Sequence, residues 1–195
     1  MTFTDREDDV VAMSNRERLL ELFRERAVLR GDFVLASGIR RPCYFDGRLV
    51  TLWPEGAYLI GREILPMLLD AGVEAVGGMT MGADPIAAAV ALVSHIEGKP
   101  MTAFIVRGVE KDHGTHKRIE GPLRAGARVG IVDDVITSGG SVLRAIDAVE
   151  DEGCTVAKVV VLLDRHEGGA EEVRRRGYDF EALLSSQAGG EVQLA

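Results

Sequence analysis

The sequence predicts an α/β fold: a parallel sheet flanked by helices, with a small N-terminal hood. Three observations predict it. Short, almost wholly apolar runs (75–78, 101–106, 128–132 and 156–163) alternate with segments of helical periodicity, the pattern of strands covered on both faces by crossover helices. The polar, glycine-bearing segments 78–85, 107–121 and 133–141 follow such runs, where open parallel sheets gather their ligands. Residues 31–51 instead carry shorter apolar runs broken by Ser37-Gly38 and Asp46-Gly47, a signature of strands and turns.

In chain order, residues 1–13 read as a frayed N-terminus. Ser14-Asn15-Arg16-Glu17 is a capping box, and Leu19, Leu20, Phe23 and Ala27 continue at helical spacing to about residue 28. Phe33-Val34-Leu35 and Cys43-Tyr44-Phe45 supply the strands of the hood, about 14–52. The core, about 53–184, begins where Pro54 opens a helix closed by Gly72. Strand Ala75–Gly78 follows, and Asp84-Pro85 caps an alanine-rich helix that stops at Gly98. Strand Met101–Val106, the polar stretch 107–121, strand Arg128–Val132, helix Ser141–Glu152 and strand Val156–Leu163 complete it. Residues 185–195 are of low complexity and read as a mobile tail.

Composition narrows the function. A chain of 195 residues with 46% hydrophobic content suits one globular domain. With 23 Lys+Arg against 31 Asp+Glu, a net charge of −8 disfavours nucleic acid and anionic membranes as partners. No apolar run approaches the roughly 18 residues of a membrane span, and the start MTFTDREDDV lacks the basic and apolar regions of a secretory signal. The expectation is a cytoplasmic protein. Cys43 and Cys154 stand far apart with no ligand spacing, so both read as reduced thiols without a metal or disulfide role.

The segment Val129-Gly130-Ile131-Val132-Asp133-Asp134-Val135-Ile136-Thr137-Ser138-Gly139-Gly140-Ser141 carries the chemistry. An apolar strand delivers two adjacent carboxylates, then turns through small and hydroxyl residues into a helix N-terminus. Backbone N–H groups there, with the hydroxyls of Thr137, Ser138 and Ser141, make a cradle for a phosphate monoester. Asp133 and Asp134 would repel that phosphate, but they accept well from a vicinal diol and suit a hydrated Mg²⁺. One loop therefore fits a ribose 5-phosphate. Neither GxxxxGK[ST] nor GxGxxG after a strand is present.

This acidic pair and phosphate loop resemble the signature of type I phosphoribosyltransferases. Gly31-Asp32-Phe33-Val34-Leu35-Ala36-Ser37-Gly38, Pro42-Cys43-Tyr44-Phe45-Asp46, Lys111-Asp112-His113-Gly114 and Leu163-Asp164-Arg165 narrow the resemblance to the orotate branch, over about residues 15–185. It implies Mg²⁺-dependent transfer of 5-phosphoribosyl from phosphoribosyl pyrophosphate to orotate in pyrimidine synthesis. Residues 107–121 become a cationic lid, in which Arg107, Lys111 and His113 contact pyrophosphate and Lys111 reaches into the neighbouring subunit's site in a homodimer. Lys111, His113, Asp133 and Asp134 are the implied catalytic residues. Residues Asp133, Asp134, Val135, Ile136, Thr137, Ser138, Gly139, Gly140 and Ser141 join the lid in holding phosphoribosyl pyrophosphate. Mg²⁺ is held mainly by substrate and water near Asp133 and Asp134, with no direct protein cage. Orotate, a planar anion, takes Tyr44 and Phe45 as aromatic candidates, Thr137 as a hydroxyl and Arg165 as the carboxylate's cation. Strand alternation points one of the two aromatics inward.

The chain departs from many relatives at Gly108, at Ala36 and in the 78–85 loop, where those relatives carry Lys; Arg40, Arg41, Lys117 and Arg118 are the cations available instead. The alternatives are a purine or other base phosphoribosyltransferase, a non-catalytic regulator that binds phosphoribosyl pyrophosphate, and a phosphoacceptor receiver domain. Arg165 disfavours the first, the lack of a basic surface the second, and the late position of Asp133-Asp134 the third.

Overall fold

A computed structural model describes residues 13–34, 40–108, 118–187 and 190–195. Helix α1 (Asn15–Arg26) begins at the expected capping box: the Glu17 N–H donates to Ser14 Oγ at 3.2 Å, and the Ser14 N–H donates to Glu17 Oε2 at 2.8 Å. Of the segment expected to fray, residues 1–12 lie outside the described residues. The helix stops at Arg26, short of the expected residue 28, because Val28 already pairs with Phe45. Strands β1 (Val28–Val34) and β2 (Arg40–Phe45) form a separate antiparallel sheet, and α2 (Arg48–Thr51) leads from it into α3 (Pro54–Asp70).

The main sheet contains β3 (Ala75–Met79), β4 (Thr102–Val106), β5 (Ile119–Glu120), β6 (Arg128–Ile136), β7 (Thr155–Asp164), β8 (Phe180–Ser186) and β9 (Val192–Leu194), in the order β5-β4-β3-β6-β7-β8-β9. Its five central strands run parallel, while β5 and β9 pair antiparallel at the edges. Helices α4 (Ala83–Ile96), α5 (Gly140–Asp151) and α6 (Gly169–Arg175) complete the chain. Alternation along each strand builds two cores. Val132, Val160 and Leu162 pack with α1, α3 and α4 residues such as Phe23, Ile60 and Ile86. Ile131, Val159 and Val161 pack with α5 and α6 residues such as Ile146, Val149 and Val173. No helix among the described residues is long and apolar enough to cross a membrane.

Three expectations need correction. The strand read as Arg128–Val132 runs on to Ile136, because β7 keeps pairing with it through Ile136↔Asp164. The acidic pair therefore lies within the strand. Helix α4 is capped at Gly82, and Asp84 sits in its first turn, where it accepts from Thr80 Oγ1 at 2.6 Å. The tail expected to be mobile from residue 185 contains the end of β8 and all of β9, paired through Leu184↔Leu194, with Val192 buried. Helix α6 and strand β8 were not marked by the sequence pattern.

Candidate active site

The carboxyl end of β6 organises the site. The β3–β6 ladder ends at Gly77↔Ile131, and Gly78 still abuts the Val132 carbonyl, so Asp133 and Asp134 follow where β3 leaves off. The turn after β3 approaches the acidic pair at Gly82. A Cβ on Gly82 would stand 2.5 Å from Asp134 Oδ1 and closer still to Asp133 Oδ1. Gly47, from the hood side, would place a Cβ 2.9 Å from that of Asp134. Both Oδ1 atoms thus converge on one glycine, and neither acid tolerates a side chain there.

Burial is the first cause that raises both acids. Asp133, 5% exposed, is pushed up to about 7 by desolvation and then by the neighbouring Asp134 charge, against the opposing field of Arg144. Desolvation also raises Asp134, opposed by the N–H of Val135, which donates to its Oδ1 at 2.9 Å. A pair of carboxylates held out of water calls for hydroxyl donors or a cation. Among the described residues no three His, Cys, Asp or Glu side chains gather into a metal cage.

Although both acids approach Gly82, each borders a different cavity. Asp133 borders a cavity of about 190 Å³ lined by the loop Val135–Ser141 and the start of α5. Gly139 adopts φ 83° as the N-cap of α5, and no side chain caps that end, so its first amides face the cavity without side-chain partners. The loop is held from behind: the Gly169 N–H donates to the Thr137 carbonyl at 2.8 Å, and a Cβ on Gly169 would lie 2.5 Å from that oxygen.

Asp134 borders a second cavity, of about 310 Å³, lined by Tyr44, Phe45, Asp46, Arg48, Met81, Gly82, Val135, Thr137 and Arg165. All four residues expected to hold the base meet here. Phe45 is the inward aromatic, buried with its ring 6.3 Å from that of Phe23 and 5.3 Å from the Arg165 guanidinium carbon. Tyr44 is exposed and stacks obliquely on Phe33 at 5.8 Å. Arg165 pairs with Glu167 at 2.9 Å, and its N–H donates to the Ile136 carbonyl, which fixes it beside the phosphate loop. His166, read from sequence as a surface residue, adopts φ 51° and pairs with the buried Asp164 at 3.3 Å.

Sequence reasoning missed two cations at these cavities. Arg48 lines the cavity beside Asp134 and pairs with Asp46 at 2.8 Å, holding that carboxyl below its ordinary range. Arg144 lines the cavity beside Asp133. Only the spacing of Arg144 from Ser141, three residues along one helix face, could have pointed to it.

At the end of β4, Arg107 pairs with Glu120 at 3.4 Å, and its buried Nε has no partner among the described residues. An anion arriving there would satisfy it. Lys111 and His113 lie outside the described residues, as do Ala36 and Lys117. A Cβ on Gly108 would meet nothing within 4 Å among the described residues, and Arg118 is half-buried.

The chain is similar to known proteins in sequence and in fold. The phosphoribosyl transferase domain family matches residues 74–182. The orotate phosphoribosyltransferase of Nostoc sp. is 46% identical over 171 residues, covering 87% of this chain and 82% of the relative. Mycobacterium tuberculosis H37Rv orotate phosphoribosyltransferase in complex with Fe(III) dicitrate superposes with a TM-score of 0.80 at 38% identity, covering 88% of this chain and 97% of that one. Its complex with 5-phospho-alpha-D-ribosyl 1-diphosphate superposes with a TM-score of 0.75 at 38% identity, over 88% and 96%. The chain belongs to the orotate phosphoribosyltransferases, a branch of the phosphoribosyl transferase domain family.

Proposed function

We propose that this chain transfers 5-phosphoribosyl from phosphoribosyl pyrophosphate to N1 of orotate, giving orotidine 5′-phosphate and pyrophosphate in pyrimidine synthesis. The observation that carries the reading is the pair of cavities divided by Asp133 and Asp134 and joined at Val135 and Thr137. A nucleoside monophosphate has the same plan: phosphate at one end, a diol in the middle and a planar base at the other.

The roles follow from that plan. Loop residues Thr137–Ser141 and the α5 amides bind the 5-phosphate. Asp133 and Asp134 accept from the ribose hydroxyls and so orient the anomeric carbon toward the hood. Phe45 and Tyr44 flank the base, while Arg165 and Thr137 take its carboxylate. N1 then attacks the anomeric carbon as the bond to pyrophosphate breaks, and the departing oxygen keeps the electron pair. No enzyme nucleophile is needed; catalysis is positioning together with stabilisation of the leaving charge. Arg107, Lys111 and His113 meet that charge and close the site to water.

The buried carboxylate pair suits a hydrated Mg²⁺, whose chemistry when bound is to neutralise pyrophosphate oxygens. The homodimer, with Lys111 serving the partner's site, belongs to this same reading, as does division of labour between the hood and the core. Cytoplasmic residence is in keeping with two free thiols and the absence of a membrane-crossing helix among the described residues.

The test combines protein, Mg²⁺, phosphoribosyl pyrophosphate and one base at a time, following pyrophosphate release and loss of the base. Turnover with orotate and not with adenine, hypoxanthine or uracil is expected. Turnover with a neutral base alone overturns the base assignment, and binding without turnover on any base leaves a regulator.

A further inference from the structure

The phosphate cavity holds a charge problem that its loop does not solve. A phosphate monoester carries about −1.5 to −2 charges near neutrality. Asp133, on the cavity wall, repels it when ionised. Between Asp133 and Leu143 the loop offers hydroxyls and amides but no cationic side chain. A helix N-terminus contributes only about half a charge, and its field falls off within a turn.

Arg144 lies where a cation is required. It is the cationic residue in the lining of that cavity. Its Nη2 donates to Ser141 Oγ at 3.4 Å, one turn back toward the loop, and its Nη1 stands 3.4 Å from where a Cβ on Gly140 would be. The guanidinium therefore folds back over the first turn of α5, across the mouth of the amide cradle. Arg48, Arg107 and Arg165 are each tied to a carboxylate, whereas Arg144 enters no ion pair among the described residues. Its one neutral, long hydrogen bond leaves most of its donors available. Arginine also matches phosphate geometry, since its planar fork can donate two parallel bonds.

We propose that Arg144 is a binding residue for the 5-phosphate, supplying the positive charge that the Thr137–Ser141 cradle lacks and screening that phosphate from Asp133. The assignment rests on the proposed function, because it requires a ribose 5-phosphate moiety in this cavity. The Arg144 charge serves ground-state binding of the ribosyl phosphate more than the leaving group.

Calorimetric titration of wild type, Arg144→Ala and Arg144→Lys with ribose 5-phosphate, and separately with pyrophosphate, tests it. The alanine variant should bind ribose 5-phosphate about tenfold more weakly, a change of about 1.4 kcal/mol. The lysine variant should recover part of that loss, and pyrophosphate affinity should change less than twofold in both. In turnover, KM for phosphoribosyl pyrophosphate should rise in step while KM for orotate holds. Arg144 is exposed, so both variants should fold, with unchanged thermal midpoints as the check. Equal affinity of Arg144→Ala and wild type for ribose 5-phosphate overturns the proposal, and so does an equal loss of pyrophosphate affinity, which would mark a diffuse charge effect. Wild-type protein that binds neither ribose 5-phosphate nor phosphoribosyl pyrophosphate overturns the functional reading and this proposal with it. Orotate turnover that is insensitive to Arg144 overturns this proposal alone.

Discussion

Asp133 is held at the end of β6 against its own chemistry, because burial and Asp134 both favour its protonated form. The folded chain keeps a proton near pH 7 that the unfolded chain has released near pH 4, so stability falls as pH rises between about 4 and 7 and levels off above. Asp133→Asn should remove that slope: the variant is more heat-resistant than wild type at pH 8 and indistinguishable below pH 4, as read by thermal unfolding across pH. A ligand that donates hydroxyls to the ionised pair should bind more tightly as pH rises through about 7, and this dependence should vanish in Asp133→Asn. Arg165 makes the complementary prediction at the base. Its alanine variant should raise KM for orotate by roughly 10- to 100-fold, the worth of a charge-assisted hydrogen bond. An unchanged KM in steady-state kinetics would move the carboxylate elsewhere.

At the scale of elements, the strands and helices of the core were legible because their signals are local: the capping box before α1, Pro54 opening α3, and apolar runs for β3, β4, β6 and β7. What was not legible depends on neighbours. Asp133 and Asp134 look like loop residues until β7 pairs alongside them, and Ser185 looks like the start of a loose tail until β9 returns against β8. Gly47 and Gly82 resemble ordinary turn glycines in sequence; only the folded chain brings them against the acidic pair. Arg48 and Arg144 escaped for the same reason, since a lone arginine carries no motif. The turn from β6 into α5 offers a stability test. Gly139 adopts φ 83°, and a Cβ there would lie 3.2 Å from Gly169 Cα. Gly139→Ala should cost about 1–2 kcal/mol in urea unfolding, from left-handed strain alone, and should weaken phosphate binding because the loop's amides are re-aimed.

For the molecule as a whole, an acidic chain with net charge −8 gathers Arg48, Arg144 and Arg165 around two cavities. Net charge therefore described the outer surface, and the substrate class was legible only from the motifs. If Lys111 serves the neighbouring subunit, Lys111→Ala and Arg165→Ala are each defective alone but complement one another. Mixed dimers place both defects in one site and leave the other intact, so random mixing should restore on the order of a quarter of wild-type turnover in a symmetric dimer. No recovery on mixing would confine the lid to its own subunit. The most direct test of the central claim is a crystal structure with orotidine 5′-phosphate bound. The account predicts phosphate on Thr137–Ser141, ribose hydroxyls on Asp133 and Asp134, and the base carboxylate paired with Arg165 beside Phe45. A base that lies outside the Tyr44–Arg165 cavity, or a carboxylate that faces away from Arg165, would contradict it.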